Sequence, residues 1–127
     1  MKTWILTTLS AMALSTNALE IAPEAKPIDQ AAPMIKMLKI LKDPKATNEQ
    51  VLACFSKKIR DRISTTPDLA GIYRKAIAGE KGVIESFSFE AEKDNPKGGH
   101  LKLKIKDGEE QNMSVIKEDG RWVFDER

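Results

Sequence analysis

The sequence predicts an α+β domain: about three N-terminal helices packed on a curved, four-stranded antiparallel sheet. Two patterns and one exclusion lead there. Between Met34 and Gly79 the apolar residues recur at spacings of three and four, the period of a helix with one buried face. From Val83 onward they alternate every second residue, the period of strands with one buried face. A single Cys and a single His in 127 residues leave too few ligands for a zinc or iron–sulfur site and no intrachain disulfide. The fold therefore has to rest on an apolar core. Helices that precede all the strands, joined by short connections, make one two-layer domain over residues 34–127.

Before that domain comes an address segment. Met1-Lys2 is a short positive start, Trp4 to Leu14 is apolar, and Ser15-Thr16-Asn17-Ala18 places small residues before a cleavage point after Ala18. This is the layout of a secretory signal peptide, 1–18, and predicts a periplasmic or secreted protein. The apolar run falls short of the roughly 20 residues that cross a bilayer, so no integral membrane segment is expected after cleavage. Residues 19–33 carry Pro23, Pro27 and Pro33 among Ala, Glu and Lys and read as an exposed, semi-stiff linker.

The first helix, about Met34 to Lys42, buries Met34, Ile35, Met37, Leu38 and Leu41 and stops at Asp43-Pro44. The second starts at a Thr47–Gln50 capping box and carries the stripe Leu52, Phe55, Ile59 and Ile63. The third is announced by Thr66 as cap, Pro67 in the first turn and Asp68. It presents Leu69, Ile72, Tyr73, Ala76 and Ile77 to the core.

Val83 to Glu92 places Val83, Phe87, Phe89 and Ala91 on one face. After a loop over residues 93–99, His100 to Lys106 places Leu101, Leu103 and Ile105 inward and Lys102, Lys104 and Lys106 outward. A one-residue slip would turn every side chain over. The hairpin at Asp107-Gly108 is thus expected to use a three-residue loop that pairs Leu103 with Met113 and Leu101 with Val115. At Asp119-Gly120 a two-residue turn pairs Lys117 with Trp122 and Val115 with Phe124. It also sets Ile116 against Val123 on the outer face.

The stretch Lys104-Ile105-Lys106-Asp107-Gly108 followed by Met113 to Val123, with Lys117-Glu118-Asp119-Gly120-Arg121-Trp122 at its turn, resembles the ending of secreted nuclear-transport-factor-two-like (cystatin-like) domains. The resemblance covers about residues 34–125. It implies a cone in which helices lean into a curved sheet and leave room for a pocket. Some members, such as ketosteroid isomerase and limonene epoxide hydrolase, are enzymes, and many short exported members have no known activity. Only Ser64-Thr65-Thr66 separates the second and third helices here, so the early hairpin of full-length members is missing. No inward Asp/His/Tyr constellation is present either, and no catalytic residue is carried over.

Lys+Arg 21 against Asp+Glu 19 gives a formal charge of +2, too even for a nucleic-acid surface, and the outer Lys row has no interleaved aromatics. No catalytic residue, metal ligand or cofactor is expected. His100 reads as a solvated loop-edge residue and Cys54 as a partly buried, inert thiol. Glu85 and Gln111 are the polar residues the register points inward. The leading expectation is a non-enzymatic exported domain that binds a partner protein, or itself, through the sheet face formed by Ile116, Val123, Lys102 and Lys104. The alternative is a small-molecule carrier with a pocket among Phe55, Tyr73, Phe87, Phe89, Met113 and Trp122. A minimal isomerase- or hydrolase-like enzyme ranks last.

Overall fold

The computed structural model describes residues 19–80 and 82–126; the signal-peptide reading of residues 1–18 lies outside them. In chain order the elements are β1 (Glu20–Ile21), a 3-10 turn (Asp29–Ala31), α1 (Ala32–Leu41), α2 (Asn48–Leu52), α3 (Lys57–Ile63), α4 (Leu69–Gly79), β2 (Val83–Glu92), β3 (Asn95–Ile105), β4 (Gln111–Glu118) and β5 (Arg121–Phe124). The class is α+β, as expected, and the described residues form four helices on a curled five-stranded sheet of order β1-β2-β3-β4-β5. The expected four antiparallel strands become five in a mixed sheet. The extra strand, β1, pairs parallel to β2.

That strand corrects the reading of residues 19–33 as an exposed linker. Glu20 N donates to Gly82 O and Ala22 N to Ile84 O, while Leu19, Ala22, Ala31 and Pro33 are buried. Two residues are too few to show a period, so β1 had no readable pattern.

Among the helices, α1 has Pro in its first turn and buries Met34, Met37, Leu38 and Leu41. The Thr47 capping box is present: Thr47 N donates to Gln50 Oε1 and Gln50 N to Thr47 Oγ1. The helix it opens is short. The single second helix expected from the stripe Leu52, Phe55, Ile59 and Ile63 is broken into α2 and α3. Between them the backbone of Cys54–Ser56 serves the sheet instead. Phe124 N donates to Cys54 O at 2.8 Å and Ser56 N to Phe124 O at 2.7 Å. Ser56 then caps α3 through its hydroxyl. The last helix, α4, starts later than Thr66-Pro67 suggested. Its cap is Asp68, held at a φ of 50° with its carboxylate accepting from Gly71 N. The later start leaves Leu69 and Ala70 buried, Tyr73 and Ile77 half-buried, and Ile72 and Ala76 exposed.

In the sheet, β2 and β3 are joined at Lys93-Asp94, with Glu92 opposite Asn95. The expected long loop is therefore a tight turn, and Gly98 and Gly99 lie in the ladder opposite Ile116 and Val115. His100 is correspondingly a mid-strand residue between Glu90 and Ser114 rather than a loop edge. A bulge between Ile84 and Ser86 sends Ile84, fully buried, into the core where strict alternation placed Glu85. The β3–β4 register pairs Leu101 with Met113 and Leu103 with Gln111, two residues from the expected pairing. A tight turn closed by Gly108 N to Ile105 O is followed by Glu109 and Glu110, which cross without joining the ladder. An even shift preserves the face, so the apolar set still points one way. The β4–β5 hairpin has the expected register, with Asp119 and Gly120 both at positive φ.

The core has two centres. One lies between the sheet, α1 and the N-terminal segment, and includes Leu19, Met34, Leu38, Ile84, Leu101, Leu103 and Val115. The other lies among the helices, around Met37, Val51, Cys54, Phe55, Ile59 and Leu69. Ile77 and Phe124 pack against both and mark the seam between them.

Candidate functional site

The seam opens into a cleft of about 300 Å³. Met34 and Met37 of α1, Tyr73 and Ile77 of α4, Phe55, and Met113 and Phe124 of the sheet make its walls, with Ser114 and Asp125 as its polar groups. It lies where the two core centres meet: Met34 belongs to one, Met37 and Phe55 to the other, and Ile77 and Phe124 pack against both. Its aromatic floor is fixed by tilted rings: Phe55 and Tyr73 have centroids 5.3 Å apart, and Phe55 and Phe124 5.6 Å. Asp125 is positioned by the Ser56 hydroxyl, which donates to Oδ1 at 2.8 Å, and by its own N–H, which donates to Ser114 O. Burial pushes the Tyr73 phenol above its ordinary pKa, and its hydroxyl has no hydrogen-bond partner among the described residues.

Of the six residues expected to line one pocket, the structure brings three together, Phe55, Tyr73 and Met113. The others are elsewhere. Phe87 is buried in the sheet-side core. Phe89 and Trp122 form an edge-on pair, centroids 5.2 Å apart, and Trp122 belongs to a different pocket. Sequence reasoning missed the cleft's Met34, Met37 and Ile77 because helical apolar residues read simply as core. Asp125 carried no signal, since its role depends on Ser56, 69 residues away.

The expected sheet-face patch is corrected at one position. Val123 is 1% exposed and is covered. The start of α3 is tied down at that corner by Ser56 to Asp125, by Lys57 N donating to Glu118 Oε1, and by the Arg60–Glu118 ion pair. Ile116 is half-buried, Lys104 is exposed, and Lys102 is paired with Glu90 at 3.1 Å, which raises its pKa. Gln111 is not among the residues lining the cleft; its Nε2 donates to Glu80 Oε2.

Cys54 is 1% exposed and its thiol donates to Gln50 O at 3.8 Å. Burial pushes its pKa up to about 11, against a smaller downward pull from Lys36 and Arg121. Only the thiolate is nucleophilic. At pH 8 the folded protein should therefore react with iodoacetamide about a hundredfold more slowly than the urea-unfolded chain. Equal rates in the two states, followed by mass spectrometry, contradict the burial argument.

Together these features define a small α+β domain with an apolar cleft between its helical layer and its sheet. Among the described residues no group of three or more His, Cys, Asp or Glu side chains could hold a metal ion, and no helix is long and apolar enough to cross a membrane. Compared with protein-family models, with curated proteins and with solved structures, the chain matches none.

Proposed function

We propose that the protein is an exported, non-enzymatic binding domain that holds a small, mostly apolar molecule in the cleft between α1, α4 and the sheet. The observation that carries this reading is the cleft itself. Its roughly 300 Å³ lies at the small end of ligand sites, with apolar walls and a few convergent polar groups. Three of the chain's five methionines line it, and these flexible, polarisable side chains adapt to an irregular ligand. Asp125, Ser114 and Tyr73 are the cleft's polar residues, and Asp125, held beside Ser114, can meet a single ligand N–H or O–H.

The finer architectural reading is the nuclear-transport-factor-two-like cone. Helices leaning into a curled sheet, and the Asp119-Gly120 hairpin followed by Trp122, support it. Periplasmic or secreted location is supported by the sequence pattern of residues 1–18. A partner protein, or a second copy, on the outer sheet face is the weaker reading. Val123 is covered and Lys102 already paired, so only Ile116 and Lys104 remain to support it.

The test is titration with N-phenyl-1-naphthylamine, a neutral dye that brightens in apolar sites. Saturable binding at micromolar concentration is expected. In Met113→Trp, where the indole fills the cleft, affinity should fall at least about tenfold while the thermal midpoint stays within a few degrees. No saturable binding, or the same affinity in a folded Met113→Trp protein, rejects the cleft as the site.

A further inference from the structure

A second cavity, of about 320 Å³, sits on another face of α1 and shares no lining residue with the apolar cleft. The 3-10 turn delivers Asp29 to one wall, and α1 adds Pro33 from its first turn and Lys36 about one turn later. The β4–β5 hairpin supplies the opposite wall. Its register sets Lys117 directly across from Trp122, and the two-residue turn, which needs Gly120 at a φ of 78°, carries Arg121 alongside.

Three cations and one carboxylate thus line a single cavity. Four other cations, Lys57, Arg60, Arg62 and Lys102, have an acidic partner, and other exposed lysines such as Lys104 and Lys106 have none among the described residues, so what sets this site apart is that three cations converge on one cavity. Lys36, Lys117 and Arg121 have no ion pair or side-chain hydrogen bond among the described residues. Their fields reach the inner wall, because Lys36 and Arg121 both draw down the pKa of Cys54, which lines the same cavity. Three cations against the single carboxylate of Asp29 leave this concave site net positive, and an anion placed between the cations relieves their mutual repulsion. The Arg121 guanidinium offers a two-pronged donor to a carboxylate or phosphate, and the two lysines are point charges that complete the ring. Pro33 and Trp122 give the site an apolar flank that a bare inorganic ion would not use.

We propose that this cavity binds a small organic anion, a carboxylate or phosphate carried on a planar apolar body. Lys36, Lys117 and Arg121 hold the charge and Trp122 holds the body. The site stands apart from the apolar cleft, and neither depends on the other.

The experiment is isothermal titration of the full chain with benzoate, phenyl phosphate, inorganic phosphate and benzyl alcohol at low and moderate salt. Benzoate or phenyl phosphate should bind, more weakly as salt rises, and the tighter of the two identifies the anionic group. Lys36→Gln, Lys117→Gln and Arg121→Gln should each weaken binding by about tenfold, and Lys104→Gln, on the outer sheet face, should not. All four side chains are exposed, so the variants should keep the wild-type thermal midpoint. Any of four results overturns the proposal: no binding of either aromatic anion by about 10 mM, equal affinity in a Lys36→Gln/Arg121→Gln double variant, benzyl alcohol binding as well as benzoate, or inorganic phosphate binding as tightly as phenyl phosphate.

Discussion

Gly99→Ala should cost about 3 kcal/mol or more, a large share of the roughly 5–15 kcal/mol that holds a domain together. A Cβ at this position would stand 2.3 Å from Glu90 O, 2.8 Å from Phe89 Cζ and 2.9 Å from Ala91 Cα. Two of those atoms are backbone of the neighbouring strand and cannot swing aside. The third belongs to a ring braced edge-on by Trp122. Relief therefore requires β2 and β3 to separate at the Ala91–Gly99 pair, next to the bulge at Ala91/Glu92. Overpacking by one methyl costs about 1–3 kcal/mol where side chains can repack, and here the ladder itself must give. Urea unfolding checks this, with Gly79→Ala as the control. Gly79 ends α4 with nothing within 4 Å of an added Cβ, so its replacement should change stability by less than about 1 kcal/mol. A Gly99→Ala midpoint equal to wild type contradicts the close approach.

That glycine shows where reading the chain stops. Gly98-Gly99 looks like loop punctuation, and only the register reveals that Phe89 lies over a residue that must have no side chain. Features governed by neighbouring residues were legible. The face shared by Leu103, Met113, Val115 and Trp122, the Thr47 capping box and the Asp119-Gly120 hairpin all follow from local period and turn chemistry. Features decided by distant partners were not. The period of Leu52, Phe55, Ile59 and Ile63 runs through a real break, because Phe124 claims the backbone of Cys54 and Ser56. Phe55, Tyr73 and Met113 could be named as pocket residues because large side chains on inward faces must meet somewhere. Which of them meet depends on how the two core centres join at Ile77 and Phe124. The structure adds two features there, β1 and the α2–α3 break, and neither leaves a periodic trace.

Ser56→Ala should cost about 2–4 kcal/mol, the second large effect expected from a single atom. The residue is 1% exposed and its hydroxyl has two duties. It donates to Asp125 Oδ1 at 2.8 Å and accepts from Ile59 N at 3.4 Å as the cap of α3. Loss of a cap costs about 1 kcal/mol and loss of a hydrogen bond to a charged group about 1.5–3 kcal/mol. The substitution removes only one oxygen atom and keeps Cβ, so cavity formation adds little. Asp125→Asn keeps an oxygen for the Ser56 hydroxyl but removes the charge, and should cost less than Ser56→Ala. The double variant should fall short of the sum of the two by about 1 kcal/mol or more, because both act on one bond. Additive losses, measured by urea unfolding, would show that Ser56 works only as a helix cap. Coupled losses would show that the serine joins the helical layer to the strand end that carries the cleft's carboxylate. In that case Ser56→Ala should also weaken binding of the neutral dye, although Ser56 does not line the cleft.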